Sequence, residues 1–438
     1  MIQEQTATPI ERVEDIDPRA YQRLDGADQI KVAYMMSRFP KITETFILYE
    51  MLAMEQHGVT VEVYPIQREK TNVIHPEAQS FVARANFLPW VNGDIVAANV
   101  RMLRRKPLTY LHTLWTLIRA NLGSRWYLTG KLALFPKSVR FAEMMEADEI
   151  THIHAHFASF PAAAAYIVHR LTGIPYSFTG HGSDLNRDRH MLKEKVEAAT
   201  TVVPISEFFR RMILEECGLH NDTKVVVVHV GVDTAVFEPR TEPTPFEKGE
   251  GPFVITAVGT LHEVKGQTYL IQACRELKKR GVEFQCHFVG DGPDETELRR
   301  QVSEWGLDDN VIFHLRQPRE FVVGILKKTD VLVQASVPSS DGRREGIPVV
   351  LMEAMGSGVP VISTRMSGIP ELVHDGECGL LVEPKEVGQL ADAIQRLYDD
   401  ADLRQRFGVS GREKVIREFD LNLNAVTLAQ YFTKRDES

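Results

Sequence analysis

The 438 residues are 43% hydrophobic and 25% charged, proportions that exclude a disordered or fibrous chain and fit two or three domains. With 60 acidic against 51 basic residues the net charge is −9, which argues against a general nucleic-acid binder. No apolar run approaches the ~20 residues of a membrane span, and Met1–Arg12 lacks the basic and apolar segments of a secretion signal. The four cysteines (Cys217, Cys274, Cys286, Cys378) lack the spacing of a zinc or disulfide motif, so a cytoplasmic, multidomain protein is expected.

Residues 1–28 are acidic and poor in large apolar side chains, which predicts a flexible, solvated tail. Lys31–Met36 predicts a buried strand, Glu44–Gln56 a helix ending at Gly58, and the alternating Val59–Tyr64 a second strand. A helical region follows to about Met145. Within it, Ile95–Ala142 contains no acidic residue and nine basic ones, among them Arg104, Arg105, Arg119, Arg125, Lys131 and Lys137. Leu111, Leu114, Trp115 and Ile118 recur three and four apart, the pattern of an amphipathic helix. Strands at Ile150–His156, Pro175–Phe178, Thr201–Ile205 and Val225–Val230 then alternate with helices at Ala162–Leu171 and Lys193–Ala199.

Glu238–Gly251, rich in Pro, Glu and Gly, reads as a linker. Beyond it, strands at Val254–Val258, Phe284–Val289, Val311–His314, Val331–Gln334 and Pro360–Ser363 alternate with helices at Gln267–Arg280, Glu295–Trp305, Arg319–Lys327, Val349–Met355 and Val387–Tyr398. Alternation of this kind predicts parallel sheets covered on both faces. The expected architecture is α/β: two Rossmann-like, doubly wound domains, 29–237 and 252–412, facing each other across a cleft, with 413–438 a terminal helix that returns to the first domain.

The chemistry concentrates in SSDGRREGIPVVLMEAMGSGVPVISTRMSGI (339–369). Pro348 suits the first position of a helix, which puts Glu345 just before the helix N-terminus and Glu353 on it. The amides of Gly346 and Ile347, at the positive end of the dipole, suit a diphosphate. A spacing of roughly 10–12 Å between the two carboxylates, at ~1.5 Å per residue, would let each hold hydroxyls at one end of a nucleotide sugar. In FTGHGSDL (178–185), glycines flank His181 and permit close backbone approach to a ligand, with Asp184 nearby. His152, His154 and His156 share one strand face, where they could bind zinc, fill the core or line a cleft. The Asp-x-Asp strings at Asp15–Asp17 and Asp400–Asp402 read as solvated charges rather than a metal pair.

EGIPVVLMEAM resembles the Glu-x7-Glu signature of the retaining glycosyltransferases of family 4, which have the GT-B fold. VGTLHEVKG (258–266), FVGDGP (288–293), HVGVDTAVFEP (229–239) and SGIPELVHDGECGLLVEP (367–384) fit the same family. SRFPKITETFILYEM (37–51) and THIHAHFASFPAAAAY (151–166) resemble its branch that builds bacterial exopolysaccharides such as colanic acid. The resemblance implies that Glu345 and His181 contact the donor hexose and Glu353 the donor ribose. It implies that Gly346 and Ile347 bind phosphate and that Lys265 neutralises the leaving diphosphate. Thr260 stands where the family usually has an arginine, with Arg344 or Arg343 as candidate substitutes. His156 and Asp184 are expected on the acceptor side.

These readings predict a hexosyltransferase using a UDP- or GDP-sugar, with no metal or other cofactor required and no nucleic-acid partner. The acid-free basic stretch predicts peripheral binding to the anionic inner leaflet of the cell membrane, and so a glycan or polyprenyl-diphosphate-linked acceptor. The alternatives are a GT-B epimerase or phosphorylase acting on related substrates, or a catalytically silent assembly subunit that keeps the fold.

Overall fold

Strands and helices alternate along the chain, and each half covers both faces of its own sheet with helices. The computed structural model describes residues 30–41, 44–70, 75–187, 189–220, 222–240, 246–247 and 251–433. The expected tail, with Asp15–Asp17, and most of the expected linker lie outside the described residues.

The first half contains β1 (Lys31–Met35), β2 (Arg38–Phe39), β3 (Thr60–Val63), β4 (Gln67–Arg68), β5 (His152–His156), β6 (Tyr176–Gly180) and β7 (Thr201–Pro204). Five of these form a parallel sheet in the order β3-β1-β5-β6-β7, and β2 pairs with β4. Its helices are α1 (Thr45–Gln56), α2 (Gln79–Arg84), α3 (Gly93–Arg105), α4 (Pro107–Arg119), α5 (Arg125–Ala147), α6 (Phe160–Thr172), α7 (Gly182–Leu185), α8 (Leu192–Ala198) and α9 (Glu207–Cys217). The second half contains β8 (Phe253–Val258), β9 (Phe284–Val289), β10 (Val311–Phe313), β11 (Val331–Gln334), β12 (Val361–Thr364) and β13 (Leu380–Val382), a parallel sheet in the order β10-β9-β8-β11-β12-β13. Around it lie α10 (Gln267–Lys279), α11 (Glu295–Glu304), α12 (Arg319–Leu326), α13 (Val349–Gly356), α14 (Ile369–Leu372), α15 (Val387–Asp399) and α16 (Ala401–Glu418), and the last helix is α17 (Leu421–Gln430).

Two expected elements differ. Val225–Val230 does not form a strand: Val225 makes one bridge with Val202, and the chain then leaves the sheet to cross to the second domain. The expected boundary at residue 412 falls inside α16, which packs on α13 as far as its C-terminus, so the return crossing lies at Phe419–Asp420. From there α17 buries Leu421, Ala425, Leu428 and Ala429 in the same cluster as Ile47, Leu48 and Met51 of α1.

The acid-free stretch folds as α3, α4 and most of α5, and its nine cations are not equivalent. Lys131 and Lys137 are fully buried, contrary to an expectation of exposed charge. Lys131 donates to Asn121 Oδ1 at 2.9 Å and His190 O at 3.0 Å, and Lys137 donates to Leu88 O at 2.7 Å and to Ile66 O. Burial pushes the Lys137 ammonium down to about 8. Arg101 pairs with Glu143 at 2.6 Å and Arg105 with Glu146 at 2.7 Å, because α5 carries those acids back alongside α3.

The two domain crossings run against each other. Val232 N–H donates to Phe419 O at 2.9 Å and Leu421 N–H to Val232 O at 3.0 Å. Asp420 caps α17 and accepts from Thr234 Oγ1 at 2.6 Å. At Gly231 a Cβ would lie 2.4 Å from Leu421 Cα, backbone that cannot move aside without parting the crossings. Gly231→Ala is therefore expected to cost about 1–3 kcal/mol, the range for overpacking. Gly388→Ala, at a helical position with nothing within 4 Å, is expected to be neutral or stabilising. Chemical denaturation of both variants checks this; equal midpoints would contradict it.

Candidate active site in the interdomain cleft

A cavity of about 840 Å³ opens between the domains at the C-terminal ends of β8 and β9. That position suits a ligand in facing open α/β sheets, and the volume falls in the ~300–1,000 Å³ range of ligand clefts. Its second-domain wall includes Thr260, Lys265, Gly290, Arg316, Arg319 and Glu353, and α1 contributes Thr45, Phe46 and Tyr49 from the first domain.

Lys265 closes a short 3₁₀ turn, Glu263–Lys265, after β8. Its Nζ donates to Glu345 Oε2 at 2.7 Å, with both side chains mostly shielded. Glu345, Gly346 and Ile347 precede α13 as the sequence predicts, although Pro348 is the cap residue and the helix begins at Val349. The pair thus sits beside a helix N-terminus, where the dipole adds positive character.

Glu353, on the same helix, lines the cavity. Burial pushes its carboxyl up to about 7, against the lowering influence of Arg319. The Arg319 guanidinium lies 4.0 Å from the centroid of the Tyr49 ring and 5.2 Å from that of Phe237, so a first-domain aromatic holds a second-domain cation at the cleft. Arg316, paired with Asp291 at 3.1 Å, is a further cation on the wall.

His181 follows β6 and caps α7. The next residue, Gly182, meets Gly346 across the cleft: a Cβ on Gly182 would lie 2.6 Å from Gly346 N. This contact sets the residues next to His181 and Glu345 against each other from opposite domains. The closed arrangement is also held where Glu371 accepts from the N–H groups of Glu207 and Phe208, both at 2.8 Å, at the start of α9.

Several expected assignments change. His156 is fully buried, with Nε2 3.1 Å from Glu50 Oε1 and Nδ1 3.2 Å from His181 Nε2, so it stands behind His181 rather than against an acceptor. Asp184 is buried as well; it accepts from Ala158 N–H and fastens α7 to the turn after β5. Thr260 lines the cavity, but Arg344 is exposed outside its wall, and Arg343 pairs with Asp341 at 2.8 Å. The cations on the wall are instead Lys265, Arg316 and Arg319. Asp400 caps α16 by accepting from Leu403 N–H at 2.8 Å. Sequence reasoning missed Glu50, Tyr49, Arg316 and Arg319; the available signals were the 37–51 motif, in which Tyr49 and Glu50 lie, and a cluster of arginines just after β10.

Because Glu353 binds its proton more tightly folded than unfolded, its contribution to stability is full below about pH 4.5 and is lost as pH rises through about 7. Glu353→Gln removes that loss. Melting temperatures from pH 5 to 8.5 are expected to show the variant gaining a few degrees on the wild type above pH 7. A constant gap would contradict this, and the comparison separates Glu353 from Asp184, whose carboxyl burial also pushes up to about 7.

Residues 240–414 match the family model of glycosyl transferases group 1, and residues 118–236 that of glycosyltransferase family 4. The chain is 30% identical over 403 residues to WcaL of Escherichia coli K12, a glycosyltransferase provisionally assigned to colanic acid biosynthesis, covering 89% of this chain and 96% of that one. It is 27% identical over 412 residues to the amylovoran biosynthesis glycosyltransferase AmsK of Erwinia amylovora, covering 92% and 98%. Among solved structures, a glycosyltransferase from Rickettsia africae superposes with a TM-score of 0.69 at 16% identity, covering 92% of this chain and 97% of that one. Anabaena HepE in complex with UDP-glucose gives 0.68 at 17% identity, covering 92% and 98%. With the two facing domains of the GT-B fold, the chain belongs to the group 1 glycosyltransferases.

Proposed function

We propose that this enzyme transfers a hexose from a nucleoside diphosphate sugar, with retention, to a lipid-linked glycan in exopolysaccharide assembly. The observation that carries the reading is the Lys265–Glu345 pair at the start of α13, on the cleft wall where a diphosphate would lie. As the bond from the anomeric carbon to the diphosphate breaks, negative charge develops on the leaving group. Lys265, on the cavity wall, and the N-terminal end of α13 would offset that charge, the electrostatic role that often dominates group transfer. Glu345 holds the lysine and accepts from sugar hydroxyls, while Glu353 accepts from the ribose beside Arg319. With those cations and dipoles in place the transfer needs no metal. WcaL and AmsK, named for colanic acid and amylovoran biosynthesis, support an exopolysaccharide product, and the UDP-glucose in HepE supports the donor class.

Lys265→Ala and Glu345→Ala are each expected to lower kcat at saturating donor by at least tenfold, about 1.4 kcal/mol of barrier. The assay monitors transfer to a polyprenyl-diphosphate glycan in excess EDTA. Losses below tenfold in both variants, or activity that requires added manganese, would contradict the mechanism.

Membrane association rests on the surface of α3, α4 and the start of α5. Among the described residues, ten of the twelve exposed large apolar side chains lie between Trp90 and Trp126, including Leu108 at 83% exposure and Trp126 at 74%. Exposed Arg104, Arg119 and Arg125 stand among them. A basic face with protruding Leu and Trp suits insertion at an anionic surface, each nearby cation adding about 1 kcal/mol. With Lys131 and Lys137 buried, apolar insertion is the larger contribution. Leu108→Ser with Trp126→Ser is expected to abolish cosedimentation with phosphatidylglycerol vesicles, while Arg104→Glu with Arg125→Glu weakens it and flattens its dependence on salt. Wild-type protein that partitions equally to neutral and anionic vesicles would overturn the proposal.

A further inference from the structure

The glycosyltransferase reading uses His181 but leaves unexplained the buried polar chain behind it. Tyr34 OH donates to Glu50 Oε1 at 2.8 Å, and His156 Nε2 lies 3.1 Å from that same oxygen. His156 Nδ1 lies 3.2 Å from His181 Nε2, with the two ring planes inclined by only 23°. Phe46 and Phe157 flank the His181 ring at 4.9 and 4.7 Å, which fixes its plane. A run of polar groups this deep in a sheet is costly unless each member is satisfied, and here the members satisfy one another.

The direction of the chain follows from the donor inventory. A carboxylate only accepts, so His156 carries its proton on Nε2, toward Glu50. With its proton on Nε2, His156 offers a bare Nδ1, which accepts from His181 Nε2–H. His181 is held neutral: burial pushes its imidazole well below the ordinary histidine range. A neutral His181 protonated on Nε2 has a lone pair on Nδ1, the edge not engaged by His156.

We propose that Glu50 and His156 are positioning residues that fix the tautomer of His181, so that His181 Nδ1 accepts a hydrogen bond from a hydroxyl of the transferred hexose. The proposal rests on the reading that His181 faces the donor sugar. It makes the site selective for a hydroxyl donor at that position, since a deoxy sugar would leave the imidazole lone pair unpaired.

Glu50, His154 and His156 also place one ligand atom each within 4.8 Å of one another, the spacing of a metal site. His154 is already committed on both nitrogens, however, Nδ1 at 2.8 Å from Ser177 Oγ and Nε2 at 3.0 Å from Thr179 Oγ1. With Glu50 accepting from Tyr34 and His156, a hydrogen-bond chain accounts for these atoms without an ion.

The test uses full-length protein labelled with ¹⁵N-histidine, the His181 signals being identified by their loss in His181→Gln. Long-range ¹H–¹⁵N spectra are expected to show His181 protonated on Nε2 in the wild type and a tautomer mixture in Glu50→Gln and His156→Phe. This readout needs no turnover, so it stands even if the donor or acceptor proves different. In transfer assays Glu50→Gln is expected to lose about ten- to hundredfold in kcat/KM, by analogy with the loss when the partner that orients a metal-ligating histidine is removed. Deoxy donors should show one hydroxyl whose removal harms the wild type but costs nothing further in Glu50→Gln. An Nδ1-protonated His181 in the wild type, or a tautomer unmoved in Glu50→Gln with the fold intact, would overturn the relay. Stoichiometric zinc binding that shifts His154 and His156 together would replace it with a metal site.

Discussion

The site depends on a contact between two stretches of backbone that leaves no room for a side chain. Gly182, at the turn after β6, lies against Gly346, in the loop before α13, so closely that a Cβ at 182 would lie 2.6 Å from the amide nitrogen of 346. A side chain at 182 would push the domains apart, whereas one at 346 would first meet the tip of the Ile205 side chain, at 2.8 Å. With both residues glycine, the backbone next to His181 meets the backbone next to Glu345, one from each domain. The packing of Gly368 against Ser206 and the Glu371 carboxylate at the start of α9 extend the same closure along the cleft. Behind it, backbone hydrogen bonds and the close approach at Gly231 tie the two crossings together.

The domains divide the chemistry by dielectric and charge. The second domain offers cations and a helix N-terminus, the features that bind a diphosphate. Its Lys265–Glu345 pair keeps the ammonium oriented before a ligand arrives, so little reorganisation is left for the reaction itself. The first domain offers a neutral imidazole between phenyl rings, with hydrogen bonds running back to a carboxylate on α1. Arg319 on Tyr49 is the exception, a cation steadied by an aromatic ring from the opposite side.

Much of this was legible in the sequence, because the groups that bind charge sit in short motifs at fixed offsets from strand ends. Glu345 lies in the loop before α13, Glu353 on that helix and Lys265 in the turn after β8, the local placements the sequence predicts. The first-domain assignments failed where tertiary packing decides the matter. The period of a strand shows that His152, His154 and His156 share a face, but not that His156 is sealed behind His181. Nor could it find Glu50, which lies 106 residues away from His156 along the chain. The acid-free stretch misled by counting charges without burial, since backbone carbonyls capture Lys131 and Lys137, and Glu143 and Glu146 fold back onto Arg101 and Arg105. Val225–Val230 has the composition of a strand, but the chain at that point is leaving for the other domain.

The central claim is that His181 and Glu345, from opposite domains, act on one sugar in one closed state. A double-mutant cycle on kcat/KM with His181→Ala, Glu345→Ala and the double variant tests it most directly. Groups that act as a unit lose less together than the product of their separate losses. We expect the double variant to be little worse than the more damaged single variant; losses that multiply in full would contradict a shared site.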